Sequence, residues 1–370
     1  MNCQVKKNKI LFCASTLSHI VNFHIPYLKE FYELGYEVHV AVNEYERIEW
    51  AHKTISIPFS KRILSIRNLY SILKLRKLLK EEEYEKISSN TTLAGIIVRI
   101  ASLLLKKRPR IYHIAHGYHF SLNSGLKKWL YLIPEKIASS VSDVVMVMND
   151  EDFMMARKYK LYKSKLYYIN GIGINENRFV VTNDAVKLNT RIQMGLPSES
   201  FIFVYAAEFS KRKNQQMLIR AFAECNFKDS LLLLGGNGKR ISQCKRLVKK
   251  LGKEKQIRFL GHINDVPKLY AACDAVVSTS RSEGLPFNII EALGCSVPVI
   301  ASDIKGHKDL VNDGVNGLLF ENGNRAHLID CMRKMHDGYA KEIKERLDIS
   351  YISKYTLNEV KPQIMDIYNK

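Results

Sequence analysis

The sequence has no long uninterrupted hydrophobic segment. Its longest apolar run, from Leu93 to Leu105, is interrupted by Arg99 and is too short to cross about 30 Å of hydrocarbon as a helix. The N-terminal stretch "KKNKILFCAST" begins with basic residues, but its apolar part is shorter than that of a secretory signal and no A-x-A-like cleavage site follows. We therefore expect no transmembrane span, and we expect this stretch to form the first strand of a domain.

The cysteines lack any pairing pattern, because all of them occur singly, without a C-x-x-C pair or a regular framework. They are Cys3, Cys13, Cys225, Cys244, Cys273, Cys295 and Cys331. This distribution predicts reduced thiols, as in a cytosolic protein, and argues against a disulfide-stapled scaffold.

Motifs of metal chemistry and of serine nucleophiles are also missing. The sequence contains no H-E-x-x-H motif, no Cys/His spacing suited to zinc and no G-x-S-x-G elbow. The stretch "NDED" at 149–152 resembles a D-x-D metal motif. It follows a predicted strand as a helix start, however, where the helix dipole favours acidic residues. We therefore expect no metal site.

Positive charge is what the sequence has in excess. It contains 57 Lys and Arg against 37 Asp and Glu, a formal net charge of +20. Such a charge is typical of nucleic-acid-binding proteins, but no helix-turn-helix, zinc finger or RNP-like aromatic signature accompanies it, so we expect no nucleic-acid partner. With 370 residues, 46% of them hydrophobic, the chain can bury a large core and is expected to form two domains.

Short apolar runs rich in β-branched residues alternate with segments of helical character along most of the chain. The runs are "KILFCAS", "YEVHVAVN", "RIYHIAHG" and "DVVMVMN" in the first half, and "FIFVYAA", "SLLLLGG", "QIRFLG", "DAVVSTS" and "VPVIAS" in the second. This alternation predicts an α/β protein with two doubly wound, Rossmann-like domains that face each other across a cleft. The predicted parts are an N-terminal domain at 1–175, a connection at 176–200, a C-terminal domain at 201–350 and a closing helix at 351–370.

The stretch "SEGLPFNIIEALGCSVPVIAS" combines a glutamate with a predicted helix start. Glu283 follows the predicted strand "DAVVSTS", and ligands of open parallel sheets bind beyond the carboxyl ends of the strands. Gly284 permits close backbone approach and Pro286 suits a helix start, which creates an anion site that fits a diphosphate. The amides that would open this helix are those of Phe287, Asn288 and Ile289.

A second glutamate, Glu291, would lie about one turn into that helix. A carboxylate there can accept two hydrogen bonds from a vicinal diol such as a ribose. Together with Glu283 and the helix start, it matches a nucleotide sugar in length and polarity. The spacing also allows a simpler interpretation, in which Glu291 only complements the helix dipole and Glu283 is a solvated loop charge.

The region 282–320 resembles the GT-B fold glycosyltransferases of family 4, whose E-x7-E motif contacts the donor sugar at its first glutamate and the ribose at its second. The similarity also covers 203–222, 231–238 and 257–277. The resemblance assigns the sugar to Glu283 and the ribose to Glu291. It implies a retaining transferase that moves a sugar from a nucleoside diphosphate donor to an acceptor hydroxyl, with no essential metal and no cofactor apart from the donor.

The same resemblance implies a diphosphate-binding lysine at Lys213, whose charge would stabilise the leaving phosphate. Many members carry an arginine five positions earlier, where this chain has Glu208. Either Lys211 or Arg212 replaces that cation, or the diphosphate is neutralised differently. A catalytically inactive subunit that binds a nucleotide sugar is the corresponding alternative function.

The other donor-binding residues that the resemblance implies lie in the E-x7-E motif and at two strand ends. They are Gly284, Leu285, Gly235, Gly236, Arg258 and Phe259. The full dinucleotide fingerprint G-x-G-x-x-G is absent, so we expect Gly235 and Gly236 to give room near the nucleotide rather than to bind a nicotinamide cofactor. The backbone around Arg258 and Phe259 corresponds to a stretch that contacts the base.

Histidines provide the candidate residues of the N-terminal half. The stretch "HIAHGYHF" resembles the strand end that places a histidine near the donor sugar in family 4, which implies His116, with His113 and His119 as competitors. His19 and His24, in the first βα loop and helix, are candidates for acceptor binding, as is His119. A purely structural role in packing or capping is the alternative for each of them.

The basic excess is larger in the N-terminal half, since residues 1–180 contain 28 Lys and Arg against 16 Asp and Glu. Within it, 61–80 carries seven cations and no acid, and 103–110 adds a basic cluster beside leucines. Such segments suit an anionic membrane surface. A packed helix with a solvated basic edge is the alternative for 61–80, because its apolar positions do not form one clean stripe.

These features together predict the cellular context. We expect peripheral attachment to the cytoplasmic face of the cell membrane and a lipid-linked saccharide acceptor, as in surface polysaccharide assembly. The expected donor is a UDP-sugar, because uridine donors dominate the resembling group, with a GDP-sugar as the alternative.

Overall fold

The structure, a computed structural model, describes residues 8–60, 65–103, 105–121, 125–179 and 183–370. These residues form two compact units. The first unit comprises the chain up to Gly173 together with Asn358–Lys370, and the second comprises Ile174–Leu357. Each unit contains one parallel sheet covered by helices, which confirms the prediction of two Rossmann-like α/β halves.

Within the described residues, the sheet of the first unit has seven strands. They are β1 (Lys9–Cys13), β2 (Glu37–Val42), β3 (Lys53–Ser56), β4 (Lys86–Asn90), β5 (Arg110–Ala115), β6 (Val144–Val147) and β7 (Lys165–Tyr168). All pairs are parallel, in the order β3-β2-β1-β4-β5-β6-β7. The connecting helices are α1 (Leu17–Phe23), α2 (Ile25–Glu33), α3 (Ile66–Glu82), α4 (Thr92–Ser102), α5 (Trp129–Ser139) and α6 (Asp150–Tyr159), with a 3-10 helix at Gly125–Lys128.

The apolar run around Arg99 forms α4, which packs between α3 and α5. Arg99 is fully buried, and its guanidinium donates two hydrogen bonds to the carboxylate of Glu135 at 2.7 and 2.9 Å and one to Ser142 at 3.1 Å. The charge in this run therefore forms a buried ion pair in the core, where removing one partner would cost several kcal/mol. No helix in the described ranges has both the length and the apolarity needed to cross a membrane.

The sheet of the second unit has six strands among the residues that the structure describes. They are β8 (Phe201–Ala206), β9 (Ser230–Gly235), β10 (Ile257–Gly261), β11 (Ala275–Ser278), β12 (Val299–Ser302) and β13 (Gly317–Phe320). They are parallel, in the order β10-β9-β8-β11-β12-β13. The helices are α7 (Asp184–Gln193), α8 (Gln215–Cys225), α9 (Ile241–Lys250), α10 (Val266–Ala271), α11 (Phe287–Gly294), α12 (Arg325–Lys334), α13 (Ala340–Arg346) and α14 (Ser350–Ser353), with a 3-10 helix at Glu176–Arg178 and a π-helix at Met335–Tyr339.

The stretch 176–200 belongs to the second unit and contains α7. Arg191 of α7 is buried, pairs with the carboxylate of Asp274 at 2.7 Å and donates to the carbonyl of Ala272 at 2.9 Å. These long-range bonds hold a segment of polar, weakly periodic sequence firmly against the second sheet.

The last helix, α15 (Leu357–Asn369), returns to the first unit. The hydroxyl of Tyr368 donates to Oγ of Ser88 at 2.6 Å, and the hydroxyl of Tyr112 donates to the carbonyl of Tyr368 at 2.9 Å. Lys361 pairs with Glu30 at 2.6 Å. The predicted closing helix is thus part of the packing of the N-terminal sheet.

Candidate active site

The two glutamates of the E-x7-E motif lie in the second unit, where the strand order reverses. β8 pairs with β9 on one side and with β11 on the other. Loops that leave such neighbouring strands run in opposite directions and open a crevice at the carboxyl ends of the sheet. Glu283 follows β11, and Glu291 lies within α11.

Glu283 is buried and is paired with two cations. Its Oε1 lies 2.6 Å from Nζ of Lys213, and its Oε2 accepts a hydrogen bond of 2.5 Å from Nη1 of Arg212. The same guanidinium nitrogen donates to the carbonyl of Ser282 at 3.0 Å. The carboxylate therefore ties the loop after β8 to the loop after β11.

The charges around Glu283 control its protonation. Burial alone would raise the pKa of this carboxyl, but the charges of Lys213 and Arg212 outweigh it and hold the pKa to about 2. Burial is also the main reason why the pKa of Lys213 lies below its ordinary value, and the charge of Glu283 opposes that shift. The carboxylate is therefore ionised at neutral pH, in a site where little water screens its charge.

The positions of the side chains bear on the departure from the family pattern at Glu208, and the choice of the second diphosphate cation remains a prediction. Glu208 is exposed, and its backbone carbonyl accepts a hydrogen bond of 2.9 Å from the side chain of Gln215. Lys211 is exposed as well, whereas Arg212 reaches Glu283. Of the two substitutes that the sequence allows, Arg212 is the one that shares a carboxylate with the candidate diphosphate lysine.

Buried hydroxyl groups position the loop that carries these cations. The hydroxyl of Tyr205 donates to the carbonyl of Lys213 at 3.2 Å and lies 2.8 Å from Oγ of Ser280. Oγ1 of Thr279 donates to the same carbonyl at 3.1 Å. The loops after β8 and β11 are therefore hydrogen-bonded to each other through backbone and side chains.

The glycines at the end of β9 allow close packing of the neighbouring loops, and room for the nucleotide there remains a prediction. Gly236 has φ +118°, and a Cβ at this position would lie 2.3 Å from the carbonyl oxygen of Ala207. A Cβ at Gly235 would lie 2.9 Å from a side-chain carbon of Ile263. A side chain at Gly236 would push the loop after β8 away from the strand ends, and one at Gly235 would displace Ile263, which follows β10.

The side chains of Arg258 and Phe259, in the outer strand β10, already have partners. Nη1 of Arg258 donates to the carbonyl of Gly195 at 3.3 Å. The ring of Phe259 packs against Phe209 with a centroid distance of 5.8 Å. The prediction for this stretch concerns its backbone, and base contact there remains a prediction.

α11 starts where the sequence predicts, but not all of the backbone amides at its start are free to bind an anion. The helix begins at Phe287, and the amide of Ile289 donates to the carbonyl of Pro286 at 3.1 Å. Nδ2 of Asn288 is buried and makes no hydrogen bond to any of the described residues. Leu285 is buried, so its side chain belongs to the core. An unused donor at a helix N-terminus suits an anion.

Glu291 lies one turn into α11, as the sequence predicts, and is half-buried. Burial, and then the charge of Glu291, hold the pKa of Tyr270 well above its ordinary value. The hydroxyl of Tyr270 is buried and has no hydrogen-bond partner within the described ranges. Tyr270 therefore places a second unused donor near Glu291, which the motif does not reveal.

His307 is a further buried residue near Glu283, and the motifs do not identify it. Its Nδ1 donates to the carbonyl of Ser302 at 2.8 Å, and its Nε2 accepts from Oγ of Ser278 at 3.1 Å. Burial lowers its pKa to about 4, although the charge of Glu283 opposes the shift. The only signal in the sequence is a histidine just beyond a predicted strand end, in "DIKGHKDL".

In the first unit, the structure brings three of the candidate histidines together. Nε2 of His19 lies 3.3 Å from Nε2 of His116 and 3.3 Å from Nε2 of His24. His119 is exposed and packs near Tyr131, and it is not one of the three clustered residues. His113 is buried with Nε2 3.8 Å from Glu135, so it belongs to the structural ion pair of the core.

Comparison with known proteins identifies the enzyme family to which this chain belongs. A model described as "Glycosyl transferase 4-like" matches residues 9–149, and one described as "Glycosyl transferases group 1" matches residues 186–353. The chain is 33% identical to EpsD of Bacillus subtilis over 322 residues, which are 86% of this chain and 84% of EpsD. The carboxylate site and this similarity define a sugar-transferring enzyme. The chain belongs to the GT-B glycosyltransferases of family 4, as its motifs predict.

Other similar proteins are more distant. An Escherichia coli protein named UDP-Gal:alpha-D-GlcNAc-diphosphoundecaprenol alpha-1,3-galactosyltransferase is 27% identical over 283 residues, which cover 75% of this chain and 73% of that protein. The solved structure of Anabaena HepE in complex with UDP and glucose matches with a TM-score of 0.79 at 21% identity, covering 98% of this chain and 99% of HepE. At that identity, the likeness to HepE shows the fold alone.

Proposed function

We propose that this glycosyltransferase moves a sugar, with retention of configuration, from a UDP-sugar to a lipid-linked saccharide in surface polysaccharide assembly. The observation that carries the proposal is the pairing of Glu283 with Lys213 and Arg212 beside the start of α11. The E. coli relative, named for a UDP-Gal donor and a diphosphoundecaprenol-linked acceptor, supports the choice of donor and acceptor.

The site offers one group for each part of such a donor. Lys213, Arg212 and the N-terminus of α11 would bind the diphosphate, and Glu291 would accept hydrogen bonds from the ribose. The diphosphate would give the two cations a new anionic partner. Glu283 could then exchange part of its ion pairing for hydrogen bonds to hydroxyl groups of the sugar.

The proposed reaction is a front-face substitution. The bond between the anomeric carbon and the phosphate oxygen breaks, and Lys213 with Arg212 stabilises the charge that develops on the leaving phosphate. The acceptor hydroxyl attacks on the same face and transfers its proton to that phosphate, which gives retention without a covalent intermediate. His116 would orient the donor sugar. Both oxygens of Glu283 are paired with cations, which makes this carboxylate a poor nucleophile.

Two helices of the first unit support the proposed membrane contact. α3 packs on the sheet and also exposes a run of apolar side chains, so its described part agrees with the packed helix and leaves a face free for the proposed membrane contact; residues 61–64 lie outside the described residues. The exposed residues are Ile66, Leu69, Tyr70 and Leu73. The 3-10 turn before α5 and α5 itself expose Leu126, Trp129, Leu130, Ile133 and Ile137. The spacing in each set is that of one helical stripe.

Basic side chains accompany these apolar faces, as an anionic membrane surface requires. Nζ of Lys128 lies 5.7 Å from the ring centre of Trp129, at the start of α5. Lys106 and Lys107, in the basic cluster 103–110, are exposed, and residue 104 of that cluster lies outside the described residues. We propose that these surfaces attach the enzyme to the cytoplasmic face of the membrane.

A thermal-shift panel with UDP, UDP-sugars, GDP and GDP-sugars tests the donor. A ligand that binds only the folded state raises the melting temperature as its concentration increases. We expect the largest shift with UDP or a UDP-sugar, and a larger shift with GDP would contradict this choice. Release of UDP from the best UDP-sugar in the presence of a lipid-linked acceptor distinguishes an active enzyme from an inactive binding subunit.

A further inference from the structure

The imidazoles of His19, His24 and His116 form a cluster, and their candidate roles at the donor and the acceptor do not by themselves require such close contact. His19 lies in α1, His24 lies at the junction of α1 and α2, and His116 directly follows β5. β1 and β5 both flank β4, so the segments that follow β1 and β5 meet at one edge of the sheet. One ring nitrogen from each histidine lies within 4.8 Å of the other two.

Hydrogen bonding among the three rings accounts for only part of this arrangement. A ring nitrogen of a neutral imidazole carries either one hydrogen or one lone pair. Nε2 of His19 lies 3.3 Å from the Nε2 atoms of both His116 and His24, so it can form an ordinary hydrogen bond with only one of them. A partner that accepts several lone pairs at once would satisfy the three nitrogens together.

The spacing fits a tetrahedral metal ion. With zinc–nitrogen bonds of about 2.0–2.1 Å, two ligand nitrogens of a tetrahedral site lie about 3.3–3.4 Å apart. The Nε2 atoms of His19 and His116, and those of His19 and His24, are 3.3 Å apart, and the ligand nitrogens of all three residues lie within 4.8 Å of one another. The ring plane of His116 is inclined by 89° to that of His19 and by 84° to that of His24.

We propose that His19, His24 and His116 form a binding site for a divalent transition-metal ion of the zinc type. Imidazole nitrogens suit zinc, copper and nickel, whereas Mg²⁺ prefers oxygen ligands. Three protein ligands leave the fourth tetrahedral position for water or a ligand oxygen. The site departs from the expectation, taken from the sequence motifs, that the chain has no metal site.

The surroundings hold the rings in place. His24 is buried, and a neutral imidazole offers one ring-nitrogen lone pair to a metal ion. The ring of Phe12 lies 6.1 Å from that of His24, and the ring of Phe23 lies 5.2 Å from that of His19. A nearly prearranged set of ligands loses little conformational entropy when the ion binds.

A metal ion bound to the three histidines would affect sugar transfer, and this inference rests on the proposed function. If His116 orients the donor sugar, an ion that holds its Nε2 would remove it from that role. Zinc would then inhibit sugar transfer while leaving UDP binding in the second unit unchanged.

Cobalt titration tests the site directly. The full-length protein, without an affinity tag and treated with a chelator, is titrated with Co²⁺ while its visible absorption is recorded. We expect one equivalent of Co²⁺ to give the intense d–d bands of a four-coordinate ion, Zn²⁺ to abolish them and excess Mg²⁺ to leave them unchanged. The absence of these bands from the wild-type protein would overturn the proposal.

Matched variants separate this site from other histidines. His19→Gln should weaken Co²⁺ binding by about tenfold or more, whereas His262→Gln, at an exposed histidine of the second unit, should bind as the wild type does. Equal binding by both variants would overturn the proposal. His116→Cys provides a second measurement, since a thiolate ligand should add a sulfur-to-cobalt charge-transfer band. UDP thermal shifts on the same samples test the donor site independently.

Discussion

The two carboxylates of the E-x7-E motif have different proposed partners in the donor, and this difference predicts opposite effects of the same substitution. In Glu283→Gln, a neutral amide replaces the charge that now pairs with Lys213 and Arg212, so the diphosphate of UDP meets more uncompensated positive charge. We expect UDP to bind at least as tightly as in the wild type. Turnover should fall by about 10²-fold or more, as when one transition-state contact is lost. Calorimetry and steady-state kinetics measure the two effects.

Glu291→Gln should show the reverse pattern. Loss of a charged acceptor for the ribose should weaken UDP binding by about 1.5–3 kcal/mol. Pyrophosphate, which has no ribose, should bind this variant and the wild type equally. Glu199→Gln, at an exposed carboxylate of the same unit, serves as the control for both variants. Unchanged turnover in Glu283→Gln, or unchanged UDP affinity in Glu291→Gln, would show that the roles are assigned wrongly.

At the scale of secondary structure elements, all the strands predicted from the alternating pattern are present, and the missed ones are short or polar. β3, β7 and β13 read KTIS, KLYY and GLLF, none of which is a run of β-branched apolar residues like those of the equally short β6, β11 and β12. β4 reads "KISSN", yet Ser88 and Ser89 are buried, because they bond Tyr368 and His113 across the fold. A polar strand of this kind is stabilised by partners that lie far away in sequence.

The sequence patterns did not predict the exposed apolar stripe of α5. Substitutions in this stripe test the proposed membrane attachment. The double substitution Leu130→Gln and Ile133→Gln should weaken binding to vesicles with anionic lipid by about 30-fold, since each side chain contributes about 1 kcal/mol or more. Flotation at low ionic strength measures the bound fraction. Wild-type binding should also decrease as salt rises, because the basic component is screened.

A substitution of the same type elsewhere provides the control. Ile192 of α7 is also exposed, but it lies in the second unit, so Ile192→Gln should float as the wild type does. If the α5 variant floats equally well, or if the wild type does not bind anionic vesicles and glycosylates a soluble acceptor efficiently, the membrane proposal is wrong.

At the scale of the whole molecule, the chain returns to the first unit in its last helix, α15. The stability of the first unit therefore depends on this C-terminal segment. Removal of residues 358–370 takes away α15 and with it the bonds from Tyr368 to Ser88 and from Tyr112 to Tyr368. We expect faster amide hydrogen exchange in β4 and β5 and unchanged exchange in β8 and β11. Exchange measured by mass spectrometry on peptides resolves the two units.

A point substitution tests the same contacts in case the truncated chain does not fold. Tyr368→Phe removes one buried hydrogen bond and should destabilise β4 and β5 by about 1 kcal/mol. Tyr339→Phe removes a comparable bond, of 3.0 Å to the carbonyl of Gly314, within the second unit, and should leave β4 and β5 unaffected. Equal changes in both units after either alteration would contradict the assignment of α15 to the first sheet.

The sequence by itself determined the α/β class, the parallel sheets and the position of Glu283 and Glu291 around the start of α11, because these properties depend on local periodicity and on residues close together in the chain. Only the tertiary structure decided that Arg212 joins Lys213 on Glu283, that His307 and Tyr270 lie near the glutamates and that α15 packs on the first sheet. It also brought together His19, His24 and His116, whose meeting depends on β1 and β5 both flanking β4. The order of strands in a sheet, and the side-chain contacts that follow from it, are set by long-range packing, which leaves no periodic signal in the chain.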